Sequence, residues 1–333
     1  MRIQNTGAAR VGLYLLGGLV VSAALVQFLS QKAERDHRPM GRMIQVRGRL
    51  IHVVDRGTGP CVVLLHGNGS MVEDFAATGL IDRLAKTHRV LAFDRPGFGE
   101  SYRQAGNWSP EREADLLIEV LETLGVERSV VVAHSWASLV AISLAMRAPT
   151  SITGLVLLSG YYYASARLDV ALMMPGTLPL IGPLVRHTVL PLLGRLGAPA
   201  VFKYLFSPMG VPAAFRRLYS VPMATRPCQL KSLADDTVTL PSAAYHARAH
   251  YRHIRIPVRL IAGVNDRVVK TADQSVRLNR ELADSELQLL EGVGHMSHHA
   301  RPDLVVAAVN ALSDRGKSNE MSAQQDILVP QDA

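Results

Sequence analysis

The chain has 333 residues, of which 48% are hydrophobic and 19% are charged. This composition is typical of a globular protein and excludes a disordered or a fibrous one. The two cysteines, Cys61 and Cys228, are too few for a disulfide framework, and neither belongs to a cluster with zinc-ligand spacing. The sequence therefore predicts no metal site. A single Cys61–Cys228 disulfide remains an alternative, although Cys61 begins an apolar run and is expected in the core.

The net charge of +8 is concentrated in two segments. Residues 1–49 carry eight Lys/Arg against two Asp/Glu, and residues 164–250 carry nine against three. The basic residues follow no nucleic-acid-binding motif and do not alternate with aromatic residues, so we expect no nucleic-acid partner. Basic charge beside an apolar stretch favours contact with a membrane surface instead.

That apolar stretch is residues 11–29, which are uncharged throughout. At 1.5 Å per residue, a helix of this length just crosses a hydrocarbon core of roughly 30 Å. The pattern predicts a single-pass N-terminal anchor within residues 1–38, with membrane lipid as its partner. The alternative is a cleaved signal peptide with Ser22 and Ala24 at a poor cleavage site, but the apolar run continues to Leu29. The basic residues on the two flanks give opposing indications about orientation.

From Arg42 onward, short apolar runs alternate with stretches of helical spacing. The predicted strands are two within 44–57, separated by Gly48, and then 61–67, 89–97, 129–135, 152–160, 256–266 and 286–295. The predicted helices are 72–87, 109–125, 138–148, 271–282 and 301–314. This alternation predicts an α/β fold with a mostly parallel central sheet flanked by helices.

A long segment interrupts the alternation at residues 164–250. It holds ten of the eighteen prolines and no glutamate, and several of its pieces are strongly apolar. We expect a lid of short helices inserted between two core strands, with a surface excursion as the alternative. The expected organisation is the anchor and its flank (1–38), core (39–163), lid (164–250), core (251–314) and a disordered polar tail (315–333).

The strongest chemical signal is Ser135, which lies between Ala133 and Ala137 at a strand-to-helix junction. A sharp turn there exposes the serine and crowds the residues two positions away, which must be small. The sequence His66-Gly67-Asn68-Gly69 ends an earlier strand. Its tight turn can aim the Asn68 N–H into the pocket that the Trp136 N–H enters, so both are candidate oxyanion donors.

Asp266 and His295 follow two later strands, at the strand ends where open α/β sheets build their sites. Taken singly, Asp266 could cap the next helix, and His295 could be a surface residue with His298 and His299 as rivals. The chain order serine, aspartate, histidine makes a nucleophile, its base and the group that orients the base the better interpretation.

These residues give the chain a clear resemblance, over roughly residues 43–313, to the α/β-hydrolase fold superfamily. The similar branch is the lidded one that holds small esterases, epoxide hydrolases, haloalkane dehalogenases and meta-cleavage product hydrolases. The motifs that carry the resemblance are HGNG (66–69), DRPGFGES (94–101), AHSWA (133–137), GVND (263–266) and GH (294–295).

The resemblance implies Ser135 as nucleophile, His295 as general base and Asp266 as its orienter, with the N–H groups of Asn68 and Trp136 as the oxyanion hole. Epoxide hydrolases and dehalogenases use a carboxylate nucleophile, which this sequence lacks at position 135. Asn68 and Trp136 also look like the halide-holding pair of dehalogenases. However, a serine alkyl ether could not be hydrolysed by attack at a carbonyl carbon, so dehalogenation is not expected.

The sequence thus predicts a serine hydrolase that acts on an ester, or another acyl bond, of a largely apolar small molecule. Trp136, Met173 and Met174 are the candidate substrate-binding residues, although the two methionines could equally be lid core. The mechanism implied requires no cofactor. The alternatives are a C–C bond hydrolase of the meta-cleavage type and a hydrolase-fold binding protein without catalysis. Nothing in the sequence indicates the oligomeric state.

Overall fold

The computed structural model describes residues 5–328, with side chains for residues 10–317. Within this range eight strands form one sheet. The strands are Arg42–Val46 (β1), Arg49–Arg56 (β2), Cys61–Leu65 (β3), Arg89–Phe93 (β4), Ser129–His134 (β5), Ile152–Leu158 (β6), Val258–Gly263 (β7) and Ser285–Leu290 (β8).

Fourteen α-helices accompany the strands in the described part of the chain. They are Asn5–Asp36 (α1), Glu73–Ala77 (α2), Leu80–Leu84 (α3), Pro110–Thr123 (α4), Ala137–Arg147 (α5), Leu168–Thr177 (α6), Ile181–Thr188 (α7), Leu190–Phe206 (α8), Ala213–Leu218 (α9), Val221–Ala224 (α10), Pro227–Ala247 (α11), Arg277–Glu281 (α12), Ser297–Ala300 (α13) and Pro302–Leu328 (α14). A 3₁₀ segment, Arg248–His253, follows α11, and a π-helical turn, Ala272–Val276, precedes α12.

The strand order across the sheet is β1-β2-β4-β3-β5-β6-β7-β8. The pairs β1–β2 and β2–β4 are antiparallel, and the other five pairs are parallel. The predicted α/β fold with a mostly parallel sheet is therefore confirmed. Because β3, β5, β7 and β8 run parallel, their carboxyl ends meet at one rim of the sheet.

The core lies on both faces of this sheet, as the continuous apolar runs require. Along β3, Val63 and Leu65 contribute to one hydrophobic cluster, and Val62 and Leu64 contribute to the other. The first cluster is covered by α4 and α5, and the second by α3 and α14. Strand residues buried on both sides fix the register, and so fix where each strand ends.

Residues 164–250, called the insertion below, leave the sheet after β6 and return to it at β7. They form helices α6 to α11, so the segment is helical and lies between two core strands, as the sequence predicts. Prolines lie at the starts of α8, α10 and α11 and also inside α6, α8 and α11.

Helix α1 packs one face against this insertion. Its less exposed residues recur at helical spacing, with Val26, Ser30 and Ala33 buried and the opposite face exposed. The Ser22 hydroxyl donates to the main-chain oxygen of Thr188, the last residue of α7, at 2.7 Å. From Arg10 to Asp36 the helix is long and apolar enough to cross a membrane.

Two details differ from the sequence expectations. The single helix predicted over 72–87 is two helices, separated at Gly79, whose φ of +72° breaks the helical path. Helix α14 continues to Leu328, where a disordered tail was expected from 315, because 317–328 contains no proline or glycine and is rich in helix formers. The end of that predicted tail, and the first residues of the predicted anchor, lie outside the described residues.

Both cysteines are free thiols, Cys61 buried and Cys228 exposed.

Candidate active site

Ser135 lies on a strained turn between β5 and α5. Its φ is +54°, in the left-handed region that non-glycine residues rarely adopt. The turn is held by a 2.9 Å hydrogen bond from the Ser135 N–H to the main-chain oxygen of Leu158. A Cβ on Gly67 would lie 2.8 Å from His134 Nδ1 and 3.2 Å from the Ser135 Cβ, so the facing turn favours glycine. Ala133 and Ala137 are fully buried beside it, which explains why both are small.

The structure brings the three side chains of the predicted triad together. The Ser135 Oγ lies 2.9 Å from His295 Nε2, and His295 Nδ1 lies 2.8 Å from Asp266 Oδ2. His295 follows β8 and Asp266 follows β7, so strands that are neighbours in the sheet carry the base and the carboxylate. The alcohol, the imidazole and the carboxylate are therefore connected in series.

Asp266 is held in place by its other oxygen. Oδ1 accepts the main-chain N–H groups of Val268 at 2.7 Å and Val269 at 3.0 Å, and the side chain is inaccessible to solvent. An ionised carboxylate can only accept hydrogen bonds, so Oδ2 selects the His295 tautomer with its proton on Nδ1. Nε2 is then the acceptor that faces the Ser135 hydroxyl, which is the arrangement a general base needs.

The two candidate oxyanion donors belong to residues that line the same cavity as Ser135. In the described part of the chain, no hydrogen bond uses the main-chain N–H of Asn68 or of Trp136. Their side chains are engaged elsewhere. Asn68 Nδ2 donates to Leu233 O at 3.2 Å and to Thr237 Oγ1 at 2.9 Å, both on α11. The Asn68 side chain therefore ties the HGNG turn to the insertion.

The Trp136 indole likewise connects the core to the insertion. Its Nε1 donates to the main-chain oxygen of Asp236 at 3.1 Å, and the Arg95 guanidinium lies 3.9 Å from its ring centre. Trp136 borders the cavity described next but is only 2% exposed, so most of its indole is packing.

A cavity of about 350 Å³ opens above Ser135 between the sheet rim and the insertion. Most of its wall is apolar and comes from α6, α8, α9, α11 and the loops that carry Asp266 and His295. The apolar and aromatic lining residues are Tyr161, Met173, Val201, Phe202, Leu205, Phe215, Tyr219, Leu233, Leu240, Val268, Val269 and Met296. A wall of this kind suits an apolar group with one polar reacting centre.

Met173 lines the cavity, and Met174 does not. Met174 is exposed on the outer side of α6, so its prediction as a substrate-binding residue is wrong. Successive residues of a helix point about 100° apart, and only one of two adjacent methionines can face the cavity. The aromatic residues Phe202, Phe215 and Tyr219 were missed, because the sequence does not reveal which faces of α8 and α9 turn inward.

A second histidine cluster lies behind His295. His298 and His299 contact Asp74, with Nε2 atoms 3.1 and 2.7 Å from its two carboxylate oxygens. His134 lies between His295 and His298, with ring centres 4.9 and 4.4 Å away. Burial lowers the pKa of His134 well below its usual range, with the neighbouring imidazoles adding to this effect, so its ring is neutral at pH 7.

The atoms of Asp74, His298 and His299 that could ligate a metal lie within 4.8 Å of one another. Around a tetrahedral zinc, such atoms would be about 3.3 Å apart, given zinc–ligand distances of about 2.0 Å. The 2.7 and 3.1 Å separations are shorter and fit hydrogen bonds.

Burial would raise the pKa of Asp74, but the imidazoles of His298 and His299 hold this pKa well below its usual range.

A buried ion network lies below the cavity. Arg95, after β4, makes two hydrogen bonds to Glu113 of α4, at 2.7 and 3.0 Å, and one to Asp236 of α11 at 2.8 Å. Arg103 contacts the other oxygen of Asp236 at 2.8 Å. Burial disfavours the charge on Arg95, but the carboxylates of Glu113 and Asp236 raise its pKa. The network joins core and insertion directly beneath Trp136.

Comparisons with known proteins agree with this architecture. An uncharacterized protein of Mycobacterium tuberculosis is 26% identical over 275 residues, which cover 78% of this chain and 76% of that protein. The structure of a thermophilic esterase from Thermogutta terrifontis superposes with a TM-score of 0.67 at 18% identity, covering 83% of this chain and 99% of the esterase. A membrane phospholipase A, described as a bacterial virulence factor, superposes with a TM-score of 0.61 at 19% identity, covering 93% and 98%.

The two structural likenesses establish a shared fold, since their sequence identities are low. A sequence profile adds the family: the profile of the alpha/beta hydrolase family matches residues 62–308, which is most of the chain and spans every strand from β4 to β8. The chain belongs to the α/β hydrolase family.

Proposed function

We propose that the protein is a membrane-anchored serine hydrolase that cleaves an ester, or another acyl bond, of a largely apolar small molecule. The observation that carries this proposal is the series of contacts from Ser135 to His295 to Asp266, at 2.9 and 2.8 Å. A serine alcohol is a weak nucleophile until a neighbouring base removes its proton. This series supplies both the base and the carboxylate that orients it.

In the acylation step, the Ser135 Oγ attacks the carbonyl carbon while His295 Nε2 takes its proton. The oxyanion of the tetrahedral intermediate accepts the N–H groups of Asn68 and Trp136, each worth about 3–4 kcal/mol of transition-state stabilisation. His295 then protonates the leaving alcohol. In the second half, His295 removes a proton from water, which attacks the acyl carbon, releases the acid and restores the Ser135 hydroxyl.

The apolar cavity above Ser135 supports an apolar acyl group as the part of the substrate that is bound. Met173 of α6 and Phe202 of α8 belong to the insertion, whereas Val268 follows β7 in the core. The insertion therefore acts as the lid that excludes water from the reacting carbonyl, which strengthens the electrostatic interactions inside the site.

Helix α1 is proposed to remain in the mature protein as its membrane anchor. Its contact face runs from Ser22 to Ala33 without interruption, and Arg226 of the insertion lies 3.0 Å from Glu34 near its end. Cleavage after Ala24 would cut this face in two and remove the Ser22–Thr188 hydrogen bond. A signal peptide destined for removal has no need of such contacts.

An activity-based probe tests the catalytic part of the proposal. A fluorophosphonate is expected to label the wild-type protein and to leave a Ser135→Ala variant unlabelled, with p-nitrophenyl ester hydrolysis lost in the same variant. Unlabelled, inactive wild-type protein with a native circular dichroism spectrum would instead favour a binding protein without catalysis. Faster turnover of a vinylogous diketone acid than of any ester would favour C–C bond hydrolysis.

Mass spectrometry of the membrane fraction tests the anchor. We expect the intact mass of the full chain, retained in the pellet after carbonate extraction. A soluble species that lacks the first 24 residues would contradict the anchor and leave the catalytic proposal untouched.

A further inference from the structure

We propose that the outer face of α6, α7 and α8 is a second membrane contact, which lies in the leaflet beside α1 and admits the acyl substrate from the lipid. This inference rests on the proposed function, since it assigns the source of that enzyme's substrate. The occupant of the face is a lipid bilayer.

The first observation is the composition of this face. From Val170 to Gly194 the only charged residue is Arg186, and its guanidinium is buried, donating to the main-chain oxygen of Gly176. Large apolar side chains are exposed along the three helices, among them Leu172, Leu180, Ile181, Leu184, Leu193 and Leu196. A continuous exposed apolar surface on a water-soluble domain is unusual, and it marks an interaction site.

The second observation is where this face lies along α1. Ser22 contacts Thr188 at the end of α7, and Arg195 of α8 donates to the main-chain oxygen of Leu29 at 3.4 Å. Ser22 is seven residues from Leu29, where the apolar run ends. Seven residues correspond to about 10 Å along a helix. If α1 crosses the bilayer, the end of α7 therefore lies about 10 Å inside the edge of the apolar run.

The third observation is the shape of the segment. Helices α6 and α7 form a pair bent by 98°, and together they are long and apolar enough for a membrane segment. Leu180 occupies the bend with a φ of +68°, and 86% of its surface is exposed. Water gives such a leucine no stabilising contact, whereas acyl chains do. A helix pair seated about 5–10 Å into the boundary between headgroups and acyl chains matches the depth set by α1.

The charges nearby fit the same placement. Directly after the apolar run, Lys32, Arg35 and Arg38 are exposed and outnumber the exposed acids Glu34 and Asp36, with Lys32 paired to Asp36 at 2.6 Å. In a leaflet with anionic lipids, basic residues at this level contribute about 1 kcal/mol each to membrane attraction. Along the axis of α1, the apolar face therefore lies at the level expected for lipid tails, and the basic residues lie at the level expected for headgroups.

The same helices form the wall of the cavity. Met173 of α6 and Val201 of α8 line it, and Val201 is also about half exposed on the outside. Leu172 and Met174 flank Met173 on the exposed side of α6. An acyl chain that enters between α6 and α8 would pass from the leaflet to Ser135 without crossing water.

A depth measurement on the full chain in vesicles of phosphatidylcholine and phosphatidylglycerol tests the contact directly. Nitroxide labels would be attached at Leu193→Cys, at Val20→Cys in α1 and at Leu289→Cys on β8, each in a Cys228→Ser background. We expect the labels at positions 20 and 193 to be more accessible to oxygen than to a water-soluble nickel chelate, with the reverse order at 289. Accessibility to the nickel chelate at 193, with position 20 in lipid, would overturn the inference and leave the anchor intact.

A second copy of the chain is the other occupant that could cover this face. Dipolar broadening between labels at position 193 of two molecules, absent for labels at 289, would indicate a dimer there and would also overturn the inference.

Activity gives an independent test with one leaving group and two acyl chains. A Leu184→Glu/Leu196→Glu variant is expected to lose tenfold or more of its turnover of umbelliferyl palmitate in vesicles, and less than twofold of its turnover of soluble umbelliferyl acetate. Leu289→Glu, a matched exposed leucine on β8, is the control and should retain both activities. Equal retention of both activities in the double variant would overturn the inference. Wild-type protein inactive on both esters would refute the proposed function, with the depth measurement still valid.

Discussion

The rim of the sheet and the insertion are built on different principles. At the rim, the groups proposed for catalysis follow the parallel strands β5, β7 and β8, of which β5 and β7 are largely buried, and Asp266 is held by three hydrogen bonds. The insertion exposes much of its apolar surface, and it joins the core through the buried face of α11 and through polar contacts that include those of Asp236 and Asn68. In the proposed enzyme, regular elements would position the chemistry, whereas the irregular segment would determine which molecules reach it.

The sharpest test of the rim is Ser135→Ala, for which we expect the largest effect. Removing the nucleophile should lower kcat for a short-chain ester by at least roughly 10³-fold, because the remaining groups cannot form the acyl-enzyme. Steady-state hydrolysis of p-nitrophenyl butyrate measures this. Ser138→Ala, a buried serine one turn along α5 that is outside the cavity, is the control and should retain most of the activity.

The connection between the two regions is tested by Arg95→Met. This change leaves Glu113 and Asp236 as buried carboxylates without their main partner, and we expect it to reduce the free energy of unfolding by about 3–5 kcal/mol. Denaturant titration of the full chain in detergent measures the loss. Arg147→Met removes an exposed pair with Asp115 and should cost less than about 1 kcal/mol. Equal losses in the two variants would contradict the role of the network.

Variants at Met173 and Met174 test the inner and the outer side of the insertion separately. Met173→Ala removes contacts inside the cavity, so we expect kcat/KM for an octanoyl ester to fall about tenfold relative to that for an acetyl ester. Met174→Ala, on the outer side of the same helix, should leave this ratio unchanged for soluble esters. A change of similar size in this kcat/KM ratio for both variants would contradict the orientation of α6 described above.

The smallest expected effect concerns His37, just beyond α1. Its Nε2 lies 2.9 Å from Glu73, and this hydrogen bond, opposed by burial, raises the pKa of His37. A raised pKa in the folded state gives stability that is present below the ordinary pKa of about 6.5 and is lost as the pH rises through the folded value. We therefore expect the free energy of unfolding of wild type to exceed that of His37→Gln by more at pH 5.5 than at pH 8.5, with the two differences less than about 1 kcal/mol apart. Denaturant titration at the two pH values measures this. An equal difference at both pH values would contradict the assignment.

Much of the sheet and its rim could be predicted from the sequence. Apolar runs bounded by turn residues indicate buried parallel strands, and parallel strands place Ser135, Asp266 and His295 at the same edge. The small residues at 67, 133 and 137 indicate a sharp turn at Ser135, because such a turn leaves no space for larger side chains.

The contacts between distant segments could not be predicted. Asp236 follows Arg95 by 141 positions, and nothing local to either residue indicates that they meet. The same holds for Asp74 and His298: the sequence offers His298 as a rival of His295, whereas the structure buries it fully against Asp74. The sequence could not show that Met174 faces away from the cavity. The orientation of α6 depends on its packing against α11, which lies more than 50 residues further along the chain.

The two hydrogen bonds from Asn68 to α11 have a consequence for biosynthesis. The turn that carries Asn68 leaves the ribosome early, α11 follows some 160 residues later, and His295 later still. A nascent chain therefore has Ser135, the proposed nucleophile, long before it has His295, the proposed base, and the turn that carries Asn68 lacks its two hydrogen bonds until α11 docks. On the proposed mechanism, hydrolytic competence is reached only after His295 has been made, so chains truncated before that residue are expected to lack the proposed activity.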